Sequence, residues 1–361
     1  MLNPEFWRGR SVVVTGHTGF KGAWLCLWLE RMGARVSGFA LAPDAISSPY
    51  ELLRPALASE HIGDIRESRP IAAFLRQAEP EIVIHMAAQP LVRLSYAQPV
   101  ETFSTNIMGT VHLLEAVRAC PSVRAAVIVT TDKVYENKEH GLAFREEDPL
   151  GGHDPYSSSK AGTEIVTASY RASFFGAPGA ARIASARAGN VVGGGDWSAD
   201  RLIPDLVRAL GAKAPICLRY PRSVRPWLHV LEPLSGYLAL AEKLVEAPEA
   251  APDALNFAPD PAQSYTVADV VERFGDEFDG KPGWIQANGD HPREAALLML
   301  DPALAALQLG WRARLDFDAT IRWTAEWYRD HMAGADMRGR TVGQIERYAA
   351  LIAAQGETLS A

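Results

Sequence analysis

Two side chains that can move a proton stand close together in the middle of the chain. Tyr156 and Lys160 lie four residues apart in the run YSSSK, so a helix places the phenol and the ammonium group on one face. A nearby positive charge favours the phenolate, which lets such a tyrosine act as a base at a lower pH than free phenol does. Any YxxxK run can occur on a helix surface by chance. Here, however, the polar run TTDK ends a preceding apolar strand, where open α/β sheets bind their ligands.

A glycine-rich loop near the start of the chain indicates a dinucleotide site. The run GHTGFKG follows the apolar run SVVVT and opens a helical pattern. Glycines permit a tight turn and a close approach of the backbone to a pyrophosphate, and the N-terminus of the next helix favours negative charge. Glycines that serve only a turn are the alternative, but the place between strand and helix favours the dinucleotide. The expected cofactor contacts are Gly16, Thr18, Gly19, Phe20, Lys21 and Gly22.

The end of the second strand decides which dinucleotide is expected. Dinucleotide folds usually carry Asp or Glu there for the adenosine ribose, whereas this sequence has Ala40. No arginine stands there to hold the 2′-phosphate of NADP, since Arg35 lies at the beginning of the strand. We therefore expect NAD, with Asp44 in the following loop as a substitute for the missing acid.

Two later segments complete the expected cofactor site. Asp64 and Ile65 close the run HIGDI, where Asp64 suits a contact with the adenine edge or, alternatively, caps a helix. Ala87 and Ala88 follow another apolar strand, and their small side chains leave room for the cofactor. We expect His85, just before them, to be a buried histidine with satisfied hydrogen bonds rather than an acid.

Short β-branched runs alternate with longer amphipathic stretches and must hold these groups in place. This alternation predicts an α/β fold, a Rossmann-type doubly wound parallel sheet. Glycine and proline punctuation after Asn190 predicts a smaller C-terminal substrate-binding domain. A helix is predicted from about Pro155 to Phe175. The predicted strands cover residues 11–15, 34–41, 81–88, 125–131 and 181–187.

The two domains are not expected to divide at a single point of the chain. We predict an NAD-binding domain over residues 1–189, with a returning segment at about 228–256. The substrate-binding domain then covers residues 190–227 and 257–335. Residues 336–361 form a C-terminal extension with a predicted helix.

Composition and charge exclude several classes of function. The net charge of -7 and the pI near 5.8 offer no basic surface for nucleic acid or an anionic membrane. The cysteines are far apart without CxxC spacing and the histidines are scattered, so we expect no disulfide framework and no metal. No apolar run approaches the roughly 18 residues of a membrane span, and the first ten residues lack a secretory signal. The prediction is a cytoplasmic protein without membrane or nucleic-acid partners.

Several motifs, in order, resemble those of one enzyme superfamily. The runs GHTGFKG, HMAAQP, TTDKVYEN, YSSSK and RAGNVVGGGDW resemble extended short-chain dehydrogenases that act on nucleotide sugars, over residues from about 7 to 330. Within that superfamily, the runs TDKxYEN, DPYSSSK and GGGDWxxDRLIPD resemble the CDP-glucose 4,6-dehydratase family. Long motifs that agree in order and spacing make the resemblance specific.

The resemblance implies a reaction cycle with NAD as a cofactor that every turnover regenerates. Hydride passes from C4 of the glucose in CDP-glucose to NAD, water is eliminated across C5 and C6, and the hydride returns to C6. By position, Tyr156 would take the proton of the C4 hydroxyl and Thr131 would hydrogen-bond that hydroxyl. Lys160 would bind the nicotinamide ribose and tune Tyr156. If Thr130 supplied the hydroxyl, the assignment would shift by one residue, but strand alternation favours Thr131.

Asp132 and Lys133 stand where the resemblance places the elimination chemistry. Elimination needs an acid for the C6 oxygen and a base for the C5 proton, and the CDP-glucose type carries Asp-Lys where dTDP-glucose dehydratases carry Asp-Glu. A lysine accepts a proton only when neutral, so the alternative is that Lys133 merely pairs with Asp132. The sequence departs from the family run TSDKCYEN at Thr131 and Val134. Neither change removes an acid or a base.

The resemblance also implies how substrate and subunits bind. A nucleoside diphosphate needs cations and amides against its negative charge. Gln89 and Arg93 lie where glucose and nicotinamide should meet, with a purely structural role in the loop as the alternative. The other implied substrate contacts are Asn190, Arg201, Arg225 and Arg293. A homodimer through the helical segments at about 98–120 and 155–175 is typical of the superfamily.

Other functions remain open at this level. A nucleotide-sugar 4-epimerase or reductase, or a dehydratase of another nucleoside diphosphate sugar, would use the same Thr, Tyr and Lys. An epimerase, however, needs no acid and base at C5 and C6, so Asp132 and Lys133 favour a dehydratase. A non-catalytic NAD-binding sensor would need neither Tyr156 nor Lys160, and both are present.

Overall fold

A parallel sheet of seven strands forms the centre of the molecule. The computed structural model describes residues 2–43, 48–278, 283–287, 295 and 297–358, with side chains to residue 354. The strands are β1 (Ser11–Thr15), β2 (Arg35–Ala40), β3 (Ser59–Ile62), β4 (Ile82–His85), β5 (Ala125–Val129), β6 (Arg182–Ala188), β7 (Asn190–Val192), β8 (Ile216–Leu218), β9 (Val224–Arg225), β10 (Trp227–His229), β11 (Ala254–Phe257), β12 (Tyr265–Thr266) and β13 (Trp284–Gln286). The strand order in the large sheet is β11-β6-β5-β4-β1-β2-β3.

Helices cover the sheet and connect its strands. A π-helical segment, Ser104–Met108, joins α6 to α7, and short 3-10 helices cover Asp132–Val134 and Pro248–Ala250. The α-helices are α1 (Pro4–Trp7), α2 (Phe20–Arg31), α3 (Pro49–Leu53), α4 (Ser68–Ala78), α5 (Val92–Ala97), α6 (Pro99–Phe103), α7 (Gly109–Arg118), α8 (Pro155–Phe174), α9 (Leu202–Ala212), α10 (Leu231–Glu246), α11 (Val267–Gly275), α12 (Ala303–Leu309), α13 (Phe317–Met332) and α14 (Met337–Thr358).

Side chains of the central strands alternate between two hydrophobic cores. Val12 and Val14 of β1 join the core that contains residues of α2, α10 and α13. Val13 joins the core on the other face, with residues of α4 and α7. A parallel sheet covered on both faces needs nearly continuous apolar strands, which explains runs such as SVVVT. The predicted Rossmann-type doubly wound sheet is confirmed.

The strand order reverses between β1 and β4. β1 pairs with β2 on one side and with β4 on the other, and the chain passes from β3 to β4 through α4. A crevice forms at such a switch point, beyond the carboxyl ends of the two strands. The glycine-rich loop after β1 and the segment after β4 both lie at this crevice.

The part of the chain after Asn190 forms small two-stranded sheets and a segment that returns to the large one. β7 pairs with β10, β8 with β13 and β9 with β12. β11 joins the edge of the large sheet beside β6, and α10 packs against β5 and β6. The predicted C-terminal helix is present as α14, which packs against α2, α3 and α13. Among the described residues, no helix has the length and apolar character needed to cross a membrane.

Candidate active site

A cavity of about 310 Å³ lies beyond the carboxyl ends of β5 and β6, beside the start of α2. Its walls come from the loops after these strands, from the first turn of α8 and from the segments around α9, β8 and β9. The fold thereby brings together residues that are far apart in the sequence. The predicted site residues in its lining are Phe20, Lys21, Arg93, Thr131, Asp132, Lys133, Tyr156, Asn190, Arg201 and Arg225.

Local capping positions the catalytic candidates. Thr131 caps the 3-10 helix Asp132–Val134, and its hydroxyl accepts a hydrogen bond from the Lys133 amide (3.4 Å) and donates one to Oδ1 of Asp132 (2.8 Å). Asp154 caps α8 by accepting a hydrogen bond from the Ser157 amide (2.9 Å). Tyr156 consequently occupies the first turn of α8, facing the end of β5.

Tyr156 differs from the expectation that a neighbouring lysine lowers its pKa. Burial raises the pKa of Tyr156 to about 12, and the hydrogen bond with Thr131 and the charge of Arg201 offset only part of this effect. The Lys160 ammonium donates to the carbonyl oxygen of Val129 (2.8 Å). In this structure, Thr131 and Arg201 are therefore the groups that favour the phenolate.

Lys160 is itself affected by burial. Removal from water lowers the pKa of Lys160 to about 8, and the negative charge of Glu164 acts in the opposite direction. A buried ammonium group without compensation loses its proton more readily than an exposed one. The charge state of Lys160 thus depends on Glu164, a residue outside the cavity lining.

Asp132 has the environment expected of an acid. Its side chain is 1% exposed, and burial raises its pKa, while Lys133, Thr131 and Arg225 act in the opposite direction. Oδ1 accepts the Thr131 hydroxyl, whereas buried Oδ2 has no hydrogen-bond partner. A buried carboxyl with a raised pKa holds a proton more readily than an exposed one.

Lys133 lines the same cavity and is partly exposed. Its backbone amide anchors it to Thr131. Among the contacts of the described residues, no ion pair joins its ammonium to Asp132, although the charge of Lys133 favours the ionised form of that carboxyl. Lys133 lies next to Asp132, so it remains available to act on a substrate carbon beside the one that Asp132 would serve.

The glycine-rich loop shows why glycine is required at its first position. Gly16 has φ +75°, and a Cβ on it would lie 2.8 Å from the backbone nitrogen of Ala87. A Cβ on Gly22 would collide with the carbonyl oxygen of Gly16. Gly19 precedes α2 without a side-chain cap, so the first amides of the helix can serve an anion. The loop therefore has the geometry of a pyrophosphate site.

The residues expected to contact the adenine make contacts with other protein groups in the structure. Asp64 binds Arg66 through both carboxylate oxygens, and these hydrogen bonds lower the pKa of Asp64. Asp64 is not the capping residue of α4, which is Glu67. Ile65 is buried, and Thr18 donates to the carbonyl oxygen of Leu41 (2.9 Å). Asp44 lies outside the described residues.

An acid that sequence analysis missed lies near the glycine-rich loop. Glu60 of β3 accepts hydrogen bonds from the Tyr50 hydroxyl (2.5 Å) and pairs with Nε2 of buried His17 (2.7 Å). It lies on the strand beside β2, opposite Gly38, rather than at the end of β2. The histidine in the loop and the acid on β3 are too far apart in the sequence for a spacing rule to connect them.

Lys21 also faces the cavity. Its ammonium donates to the Tyr237 hydroxyl of α10 (3.5 Å). Burial, followed by the charges of Arg201 and Lys160, lowers the pKa of Lys21 to about 7, and Asp132 acts in the opposite direction. His85, below the loop, is buried and hydrogen-bonded to Thr15 (2.7 Å), as expected.

The predicted substrate-binding arginines differ in their surroundings. Arg225 is buried, lines the cavity and donates to the carbonyl oxygen of Val224 (2.8 Å). Arg93 pairs with Asp200 (2.6 Å) and Arg201 with Asp196 (3.2 Å). These guanidinium groups border the cavity, where a diphosphate could replace a carboxylate as their partner.

Gln89 is not part of the cavity lining. The Gln89 side chain donates to Thr102 (2.8 Å) and accepts from the amide of Leu91 (2.6 Å), which is the loop role considered as the alternative. Arg293 lies outside the described residues. Arg219, which sequence analysis missed, lines the cavity at the end of β8. The arginine-rich run LRYPRSVRPW was the signal that could have found it.

The charged lining contains no arrangement typical of a metal centre. Within the described ranges, no group of three or more His, Cys, Asp and Glu side chains is placed to hold a metal ion. The cysteines of the chain are free, and Cys217 alone among them is exposed. The lining of the cavity carries hydroxyl, carboxyl, ammonium and guanidinium groups.

The fold and the site together define a class of protein. A doubly wound parallel sheet with a glycine-rich loop at its switch point, and a Tyr-Lys pair on the helix beside β5, is the arrangement of an extended short-chain dehydrogenase. The sequence model of the GDP-mannose 4,6 dehydratase family matches residues 13–324. The chain belongs to this family.

Known relatives agree with this assignment. The chain is 45% identical to the CDP-glucose 4,6-dehydratase of Salmonella typhimurium over 342 residues, covering 93% of this chain and 95% of the relative. It is 29% identical to the dTDP-glucose 4,6-dehydratase of Streptomyces antibioticus, covering 75% and 76% of the two chains.

Solved structures share the fold at low sequence identity. The UDP-glucose-4-epimerase of Stenotrophomonas maltophila, with bound NAD and formylated UDP-arabinopyranose, is 24% identical with a TM-score of 0.77, covering 90% of this chain and 100% of that one. The dTDP-glucose 4,6-dehydratase of Bacillus anthracis in complex with NAD is 19% identical with a TM-score of 0.73, covering 91% and 99%.

Proposed function

We propose that this chain is an NAD-dependent CDP-glucose 4,6-dehydratase, a lyase that converts CDP-D-glucose into CDP-4-dehydro-6-deoxy-D-glucose and water. The observation that carries the proposal is the convergence of Thr131, Asp132, Lys133 and Tyr156 on one cavity. The 45% identity to a CDP-glucose 4,6-dehydratase along nearly the whole chain supports the choice of substrate. The product is of the deoxysugar type used in polysaccharide biosynthesis.

NAD fits the crevice at the switch point of the sheet. The Gly16 loop and the uncapped start of α2 suit its pyrophosphate, and Ala87 lies against Gly16. Ala88, the next residue, is proposed as a further contact of the cofactor. When bound, NAD would supply the hydride acceptor for oxidation at C4 and, once reduced, the hydride donor for C6. We propose that Lys160 binds the nicotinamide ribose, that Asp64 and Ile65 contact the adenine, and that residues 1–189 with 228–256 form the NAD-binding domain.

The first proton transfer belongs to Tyr156. Its phenol loses a proton more readily when the Thr131 hydrogen bond and the Arg201 charge stabilise the phenolate. The phenolate then accepts the proton of the C4 hydroxyl, and Thr131 orients that hydroxyl. C4 stays a ketone in the product, so the phenol releases this proton to solvent, and the cycle closes by addition of the hydride to C6 and of a proton to C5.

We assign the elimination of water to the neighbouring residues Asp132 and Lys133. Oδ2 of Asp132 carries the proton for the departing C6 hydroxyl, because burial keeps this carboxyl protonated more readily than an exposed one. Lys133 accepts the proton from C5. Asp132 as the acid and Lys133 as the base therefore act at C6 and C5, which are adjacent carbons of the sugar.

In this proposal, the negative diphosphate of the substrate binds the positive arginines of the cavity. We propose that Arg225 and Arg201 bind its oxygens, with Arg293 from the segment outside the described residues, and that Asn190 and Arg93 contact the phosphate and sugar. Gln89 serves as a positioning residue that shapes the loop after β4.

A substrate panel tests the proposal. CDP-glucose with added NAD should give a product lighter by one water in mass spectrometry, and Tyr156→Phe should abolish the conversion. Conversion of dTDP-glucose or GDP-mannose, but not of CDP-glucose, would contradict cytosine as the nucleobase of the substrate. A product of unchanged mass and inverted C4 configuration would instead make the chain a 4-epimerase.

We also propose that the protein is a cytoplasmic homodimer that associates through the helical segments at about 98–120 and 155–175. Exposed apolar side chains concentrate on and beside these segments: Leu94, Tyr96, Val100, Phe103, Met108, Ile165 and Phe174. Such a concentration on a protein surface is typical of a subunit interface.

Light scattering measures this association. Val100→Lys and Ile165→Lys should each produce monomers, because Val100 is 82% and Ile165 is 59% exposed in a single subunit and a dimer would bury them. Leu142→Lys, at an exposed leucine outside the two segments, is the matched control and should remain dimeric. A wild-type protein that is monomeric at micromolar concentration would rule out the dimer.

A further inference from the structure

A buried carboxylate lies behind the catalytic residues and has no part in the steps above. Glu164 is 4% exposed and follows Lys160 by one turn of α8, so Tyr156, Lys160 and Glu164 share one face of the helix. Its Oε1 accepts a hydrogen bond from the Thr130 hydroxyl (2.5 Å). Thr130 is the residue directly before Thr131, so this carboxylate touches the strand end that carries the catalytic hydroxyl.

The other oxygen of Glu164 belongs to a buried ion pair. Oε2 accepts hydrogen bonds from Arg187 (2.8 Å) and from the Ser185 hydroxyl (2.6 Å), both on β6. Arg187 also donates to the Tyr135 hydroxyl (2.8 Å) and to the carbonyl oxygen of Glu146 (2.9 Å). Burial raises the pKa of Glu164, but the hydrogen bonds and charge of Arg187 outweigh it and hold that pKa below its usual range.

We propose that Glu164 is a positioning residue of the reaction: its carboxylate keeps Lys160 in the charged form and fixes Thr130, so that the end of β5 and the face of α8 meet correctly. The proposal rests on the dehydratase function proposed above. In the part of the chain that the structure describes, Lys160 donates to the neutral carbonyl oxygen of Val129, and the negative charge of Glu164, one turn away, opposes the loss of its proton.

Other ionisable groups around this unit do not supply the same charge. Lys21 is a cation, and buried His85 is neutral because burial lowers its pKa to about 3. Arg171, on the same helix, is a cation. Burial lowers its pKa, and the charges of Asp253 and Glu164 act in the opposite direction. Among the described residues, Lys21, His85 and Arg187 face Lys160 or Glu164 from other elements, and Tyr156 and Arg171 lie on α8 itself.

The variant Glu164→Gln keeps the shape of the side chain and removes its charge. Lys160 should then lose its proton at a pH about one unit lower, a roughly tenfold change in its protonation equilibrium. NMR of lysine labelled with carbon-13 measures this midpoint directly, with the Lys160 signal assigned by its loss in Lys160→Arg. The alkaline limb of kcat for dehydration should move to lower pH by a similar amount.

Glu242→Gln is the matched control for removing a buried carboxylate. Glu242 lies on α10, accepts hydrogen bonds from Trp7 (2.7 Å) and the Asn3 amide (2.9 Å), and has no contact with the cavity. Its variant should leave the Lys160 midpoint and the kcat profile unchanged.

A double variant separates positioning from folding. Glu164→Gln leaves Arg187 buried without its partner, which is destabilising by itself, whereas Glu164→Gln with Arg187→Met removes both charges. The double variant should regain thermal stability while the Lys160 midpoint stays low. An unchanged midpoint in the double variant would overturn the proposal and make the ion pair purely structural. Because the NMR titration needs no turnover, this result holds even if CDP-glucose is not the substrate.

Discussion

At the scale of single residues, the site is defined by neighbours with opposite environments. Asp132 is buried with one unpaired oxygen, whereas Lys133, the next residue, is partly exposed to the cavity. The 3-10 turn that follows Thr131 produces this contrast, because it turns consecutive side chains in different directions. In the proposed mechanism, Asp132 and Lys133 act as acid and base on adjacent carbons of the sugar.

Lys133→Met tests the base at this scale. The methyl thioether has a similar length but cannot accept a proton, so kcat for loss of water should fall by about 100-fold or more, while NAD binding stays within about twofold. Turnover by mass spectrometry and NAD titration by fluorescence measure the two effects. Lys138→Met, at a lysine paired with Glu136 on the surface, is the control. Near-normal turnover of Lys133→Met would assign Lys133 a structural role only.

At the scale of elements, the loop between β1 and α2 depends on the close approach of the segment after β4. Gly16 has a left-handed backbone and lies against Ala87, so both its φ and the missing Cβ matter. The register of β1 and β4, with Thr15 opposite His85, brings these two segments together. The cofactor crevice is therefore a property of two paired strands rather than of the glycine motif alone.

A pair of alanine substitutions separates the two requirements. Gly16→Ala and Gly9→Ala both place a side chain at positive φ, with a cost of about 1 kcal/mol each. A Cβ at Gly9 meets nothing within 4 Å, whereas one at Gly16 displaces Ala87. Only Gly16→Ala should weaken NAD binding, by about tenfold or more, as measured by calorimetry. Equal NAD affinities in the two variants would contradict a role for the close approach.

At the scale of the whole molecule, a buried carboxylate ties the C-terminal helix to the main sheet. Glu232 of α10 accepts hydrogen bonds from the Tyr348 hydroxyl of α14 (2.5 Å) and from the amides of Arg314 and Leu315. Burial raises the pKa of Glu232 to about 7, and these hydrogen bonds offset only part of the effect. Helix α14 thus depends on a group that titrates near neutral pH.

The stability of the protein should respond to pH through this group. Because the pKa of Glu232 is raised on folding from 4.5 to about 7, its contribution is full below the unfolded pKa and is lost as pH rises through the folded pKa. The free energy of unfolding should fall by about 3 kcal/mol from this group between pH 4 and pH 8. Glu232→Gln should remove most of that dependence in denaturant titrations. Glu272→Gln, at an exposed acid of α11, should not, and equal slopes in both variants would contradict the assignment.

Much of the fold was predictable because its signals are local. Apolar periodicity located β1, β2, β4, β5, β6 and α8 to within a few residues, since strand and helix repeats depend on neighbouring side chains. The motif spacings likewise identified Thr131, Asp132, Lys133 and Tyr156, which the fold gathers at one cavity. Loop conformation was less predictable, and Gln89 proved to bind its own loop.

The sequence by itself determined the fold class, the glycine-rich loop and the candidate catalytic side chains, because each depends on residue types at short spacing. Only the tertiary structure decided the direction in which the pKa values of these side chains are shifted. Glu164 meets Thr130, 34 residues away, and Arg187, 23 residues away, and these contacts control the surroundings of Lys160. The pKa of Tyr156 likewise depends on burial and on Arg201, which no local pattern encodes. Charge states follow from burial and from contacts between distant segments, and these exist only once the chain has folded.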